Sequence, residues 1–178
     1  MKKHKNVIIF LLKFFVTYFI LVSIYNGYLQ KSQQKGDVYK TSTITSLVAD
    51  QTVQTLSLLN YNVKAEQHDK ELSVKLIIEG KYTARVIEGC NSISLIILFI
   101  AFIVAFAGSI KATLLYSIFG SLLIYVINIL RISFLTVMIY KYPTKTEILH
   151  GLIFPAIIYG TIFLLWVIWV NKFSNYKK

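Results

Sequence analysis

The chain has 178 residues, 56% of them hydrophobic, and a mean hydropathy of +0.61. That is too apolar for an ordinary soluble domain and too short for a large one, and it describes a small integral membrane protein. The net charge of +11 is scattered or gathered at chain ends beside apolar runs, which suits a membrane surface and argues against nucleic-acid binding, and a single cysteine excludes a disulfide framework.

The first element is an apolar run from Val7 to about Leu29, preceded by Lys2, Lys3 and Lys5 and long enough to cross a bilayer of roughly 30 Å. Its length, the interruption at Lys13 and the lack of a small-x-small cleavage site favour an uncleaved anchor over a signal peptide. Lys13, near one end, is expected to snorkel to the interface.

Residues 30–88 form the longest polar stretch. Between Thr41 and Leu59, the residues Ile44, Leu47, Val48, Leu56 and Leu59 fall near one face of a helix, with Thr41, Ser42 or Thr43 available as a cap. Glu71 to Glu79 alternates, with Leu72, Val74, Leu76 and Ile78 on one side. Lys81 to Val86 returns antiparallel through a Gly80-Lys81 turn, giving a β-hairpin. Such a region has a thin core and is expected to lean on the helices.

Three further apolar runs follow: Ile93 to Ala107, Ala112 to Tyr140 with Asn128 and Arg131 inside it, and His150 to Val170 with Pro155 inside it. Trp166 and Trp169 read as interface anchors. The predicted fold is therefore an α-helical integral membrane protein of four transmembrane helices, with a small outward helix plus β-hairpin between helices one and two. Its units are residues 1–29, tail and first helix; 30–88, the outward region; and 89–178, a three-helix catalytic core and tail. Lysines at both ends and Lys111 in the turn between helices two and three favour a cytoplasmic side for both termini.

That topology makes a test. Cys90 begins the second helix and His150 the fourth, both on the outer side. Arg131 lies 20 residues after Lys111, and at about 1.5 Å per residue that is roughly one bilayer thickness. Asn91 and Ser92 are residues that cap helix starts, which sets Cys90 at or just before a first turn, where the positive end of the dipole favours the thiolate. The three residues then divide an acyl-transfer reaction. Cys90 attacks a peptide carbonyl, His150 carries the proton to the leaving amine, and Arg131 stabilises the thiolate or the oxyanion. Asn128, one turn before Arg131, would orient it or donate to the oxyanion.

Each residue also has a plainer reading. A cysteine beside an apolar helix can be an inert small hydrophobe, and a histidine at a helix end a simple interface residue. Arg131 is the exception, because a cation inside a long apolar run needs a partner or a purpose. The aromatic residues read as anchors and lipid-facing filler. Glu88 reads as a solvated charge, with pairing to Arg85 or a part in the site as alternatives. His4 and His68 read as solvated, and no metal-site spacing or cofactor motif is present.

The run Glu88-Gly89-Cys90-Asn91-Ser92-Ile93, followed by Asn128-Ile129-Leu130-Arg131-Ile132 and by His150-Gly151 with Phe154-Pro155 and Tyr159-Gly160, resembles the exosortase/archaeosortase family. The short layout is most similar to the exosortase F subclass, and the likeness covers roughly Ile87 to Val170. It implies a cysteine peptidase/transpeptidase in the cytoplasmic (inner) membrane with its active site on the outer face. The implied partners are the membrane-anchored C-terminal sorting tail of exported proteins, the lipid bilayer and an acceptor nucleophile of unknown identity. The family's catalytic residues fall on Cys90, Arg131 and His150. Larger members carry Cys-Ser-Gly where this chain has Cys90-Asn91-Ser92, so Asn91 and Ser92 join Asn128 as substrate-binding or oxyanion candidates. Two other functions fit the same sequence: a non-catalytic membrane assembly or chaperone subunit, and a lipid-modifying acyltransferase using the same thiol.

Overall fold

The fold follows from a computed structural model, which describes residues 2–36, 39–106, 108–145, 151 and 153–174. It is mostly helical. A long helix α1 (Lys2–Ser32) leads to α2 (Thr43–Leu58), then to strands β1 (Val63–Gln67), β2 (Ser73–Ile78) and β3 (Lys81–Ile87). A 3-10 turn, Glu88–Cys90, joins β3 to α3 (Ile93–Ala105); α4 (Ile110–Lys141) and α5 (Phe154–Lys172) complete the chain.

Among the described residues, three helical segments are long and apolar enough to cross a membrane: Lys5–Ser32, Ile110–Lys141 and Pro155–Lys172. Helix α3 has 13 residues, about 20 Å of helix, which is short of a hydrocarbon layer of roughly 30 Å. α1, α4 and α5 all pack against it, burying Ile97, Phe99, Ala101, Ile103 and Ala105 while Val104 stays exposed. The contact of α3 with α4 is close. A Cβ on Gly120 would overlap the Phe99 ring, so only glycine lets the two helices approach here.

At the other end of that bundle, Trp169 is fully buried and Trp166 stacks on Phe102 with centroids 4.2 Å apart. Trp169 lies between Tyr116 and Phe173, at 5.0 and 5.7 Å. The reading as an interface anchor is corrected for Trp169, which is core where α3, α4 and α5 converge, with the partly buried Trp166 packed against that core.

An antiparallel sheet in the order β1-β2-β3 packs on α2 and α4. Val74, Leu76 and Val86 of the sheet meet Val48 and Ala49 of α2 and Ile129 and Ile132 of α4 in one cluster. β2 and β3 are joined through Glu79 and Gly80, whose φ angles of 49° and 76° make the left-handed turn that matches strand twist. β1 is absent from the sequence reading, because five residues reading Val-Lys-Ala-Glu-Gln carry little strand signal.

The buried side of α2 is also rotated from expectation. It comprises Thr45, Val48, Ala49, Thr52 and Leu56, while Leu47 and Leu59 are exposed. Counting apolar residues alone missed two threonines whose hydroxyls find partners inside the protein. Thr52 donates to the Val48 carbonyl at 2.8 Å, and Thr45 donates to Glu88.

Candidate active site

Cys90 ends the 3-10 turn, three residues ahead of the start of α3. The chain must turn sharply there, and Ser92 absorbs the turn with a φ of 65°. Its hydroxyl donates to the Asn91 carbonyl at 2.6 Å and caps nothing. Asn91 is the residue that caps: its Oδ1 accepts the Ile93 N–H at 3.1 Å. Of the two predicted caps, one therefore serves the helix and the other the bend, and Cys90 stands outside the first helical turn.

Asn91 is 1% exposed, and its amide serves a second purpose. Nδ2 donates to Tyr25 Oη at 2.7 Å, to Thr45 Oγ1 at 3.0 Å and to Glu88 Oε2 at 3.3 Å. Glu88 in turn accepts the Ser42 N–H at 2.7 Å and the Ser42 hydroxyl at 2.8 Å, besides the Thr45 hydroxyl. The expectation of a solvated Glu88 is corrected. Its carboxylate is the acceptor at the N-terminus of α2, and the positive helix end favours an anion there. Burial pushes the Glu88 carboxyl up, but the Thr45 and Ser42 donors outweigh it and hold the group below its usual range. Arg85 pairs instead with Glu71.

The other side of the Cys90 turn is held by α4. Asn128, 1% exposed, donates Nδ2 to the Cys90 carbonyl at 2.7 Å. That bond to the backbone of the cysteine, not to Arg131, is where the structure directs the amide. Among the described residues, Asn128 Oδ1 and Arg131 Nε are buried polar atoms without a hydrogen-bond partner. Burying such groups unpaired is costly unless something else meets them.

Cys90 and Arg131 line one cavity of about 310 Å³, between β3 and the C-terminal half of α4, with Pro155 at its edge. His150 lies outside the described residues; it precedes Pro155 by five positions in the chain. A thiol, a guanidinium and a partly enclosed apolar wall are thus in one place. Among the described residues, no group of three or more His, Cys, Asp or Glu side chains is placed to hold a metal ion.

The profile of the transmembrane exosortase family (Exosortase_EpsH) matches residues 8–170. The chain belongs to the transmembrane exosortase family. No curated protein and no solved structure matches it. Family membership suggests a membrane-embedded peptidase or transpeptidase.

This exosortase adds residues to the site that the sequence did not single out. Ser42, Thr45 and Tyr25 reach the Cys90 turn from α1 and the start of α2, through Glu88 and Asn91. The signal that pointed to them was present in part: Ser42 is a helix cap, and Glu88 is an acid placed two residues before the cysteine. What the sequence lacked was any pairing between them across more than forty positions.

Proposed function

We propose that the chain is a membrane-embedded cysteine peptidase/transpeptidase that cleaves the C-terminal sorting tail of exported proteins through a thioester acyl-enzyme. The observation that carries this reading is that Cys90 and Arg131 open onto one cavity, where Arg131 Nε has no partner among the described residues. The Cys90 thiolate adds to the scissile carbonyl. Arg131 steadies the charge on sulfur and then on oxygen, in surroundings of low dielectric. The C–N bond breaks, the leaving amine takes a proton from His150, and the acyl part stays on sulfur as a thioester. Water or an acceptor nucleophile then attacks the thioester and frees the thiol.

In this reading both termini are cytoplasmic, the short α3 makes a fourth crossing together with the residues that flank it, and the cavity faces outward in the cytoplasmic (inner) membrane. The short layout is that of the exosortase F subclass. A tail entering sideways from the bilayer as a helix suits a cavity at the outer end of α4.

The test is comparative mass spectrometry of exported-protein C-termini in cells carrying wild type, Cys90→Ala, Arg131→Lys or His150→Ala. Each variant is expected to accumulate proteins with uncut membrane-anchored tails at normal levels of the folded chain. Processing that continues in Cys90→Ala overturns the reading and favours a non-catalytic assembly subunit.

A further inference from the structure

This inference rests on the proposed thiol chemistry. We infer that the cavity beside Cys90 is a subsite for an apolar, branched or long aliphatic side chain on the residue that supplies the scissile carbonyl. Cys90 and Arg131 mark its reactive end. Its wall is mostly apolar: Ala84 and Val86 on β3, with Ile132, Leu135 and Ile139 on α4 and Pro155 on α5, while Arg85, Gly89 and Thr136 complete the lining. Its volume of about 310 Å³ is at the low end of ligand pockets, roughly 300–1,000 Å³, which suits a short peptide segment and not a lipid chain with its headgroup.

The polarity of the substrate follows from where the walls come from. In the proposed topology β3 belongs to the sheet above the membrane segments, whereas the departing tail must run down into the bilayer. The part of the substrate that meets β3 is therefore the part that stays on sulfur. Among the described residues β3 is also the last strand of the sheet, paired with β2 on one side only, so an extended segment can lie along it. The register puts Ala84 opposite Leu76 and Val86 opposite Val74, on the face buried against α4. Ala84 is the smallest side chain in that wall, and it leaves the room.

The experiment measures labelling of Cys90 in the purified full chain by acetyl-dipeptidyl chloromethyl ketones ending in glycine, aspartate, leucine or phenylalanine. The thiolate displaces chloride and the adduct is read by intact mass. Leucyl labelling is expected to exceed glycyl and aspartyl labelling by about tenfold or more, the discrimination an aliphatic pocket gives. Ala84→Leu and Ile139→Phe, which fill the cavity from opposite walls, should each reduce the leucyl-to-glycyl ratio towards one. Leu135→Ala should shift preference towards phenylalanine. Equal labelling by all four reagents, or a ratio untouched by both filling variants, overturns the subsite. The nucleophile reading is tested separately by iodoacetamide: a Cys90 labelling rate that Arg131→Gln leaves unchanged removes the thiolate argument, whatever the side-chain preference.

Discussion

The amide of Asn128 and the carbonyl of Cys90, 2.7 Å apart, tie the turn that carries the thiol to the middle of α4. Arg131 is one helical turn further along α4, so a single helix both holds the turn that carries the thiol and supplies the guanidinium lining the same cavity. A buried amide on a backbone carbonyl is a positioning contact. Asn128→Ala is expected to destabilise the protein by about 1 kcal/mol, the net value of such a bond. Asn128→Asp should cost more, about 1–3 kcal/mol, because two oxygens would then face each other in a buried site. Both variants should slow iodoacetamide labelling of Cys90, and Asn128→Gln should not recover it, since the longer side chain misplaces the donor. Denaturation midpoints in detergent, with labelling rates followed in parallel, give the result; full labelling by Asn128→Ala removes the positioning role.

Ser92 holds a φ of 65°, a conformation that glycine adopts freely and a serine does not. Its hydroxyl reaches only the neighbouring Asn91 carbonyl. Larger members of the resembling family have glycine at this position. Ser92→Gly is therefore expected to stabilise the protein by about 1 kcal/mol and to preserve tail processing, whereas Ser92→Val should lose about 1–2 kcal/mol. Thermal denaturation of the two variants against wild type decides it, and a destabilised Ser92→Gly would show that the hydroxyl matters more than the backbone.

The contact between α3 and α4 gives a packing prediction. Gly120→Ala gains up to about 1 kcal/mol of helix propensity, but its methyl group meets the Phe99 ring, which is fully buried. Overpacking of that kind costs about 1–3 kcal/mol, so a net loss is expected. Phe99→Leu should lose stability alone and yet recover part of the loss in the double variant, because the ring is the obstacle. A double-mutant cycle read from denaturation midpoints measures the coupling; strict additivity would mean that the helices do not meet there.

Much of the frame was legible because bilayer thickness imposes length. The runs at Val7, Ala112 and His150 correspond to α1, α4 and α5, and Cys90 and Arg131 line one cavity. The rest escaped for two physical reasons. Pattern reading counts apolar residues, so the buried threonines of α2 and the short strand β1 carried no signal. It also sees residues one at a time, so Glu88 looked solvated when its partners Ser42 and Thr45 were far away in sequence. Trp169 is the converse case: near a helix end it resembles an anchor, and only the convergence of three helices buries it.

The Glu88 cluster gives a pH signature. The carboxyl lies below its usual value of 4.5 because Thr45 and Ser42 donate to its anion, despite burial that pushes the other way. A group whose folded pKa is depressed stabilises the fold fully above its unfolded value and loses that contribution as pH falls through the folded one. Stability from Glu88 is thus complete at neutral pH and declines below pH 4.5. Glu88→Gln keeps the shape but lacks the charge, and its amide N–H groups would face the Ser42 and Thr45 donors. With the group only partly buried, a loss of about 1–2 kcal/mol at neutral pH is expected. The gap between variant and wild type should close as pH falls, since protonated Glu88 also loses its charge-assisted bonds. Detergent denaturation curves across the acid range measure that gap. A constant gap would mean that Glu88 acts by packing alone, and a tail-processing defect in Glu88→Gln that follows the same pH course would tie the network to the placement of Cys90.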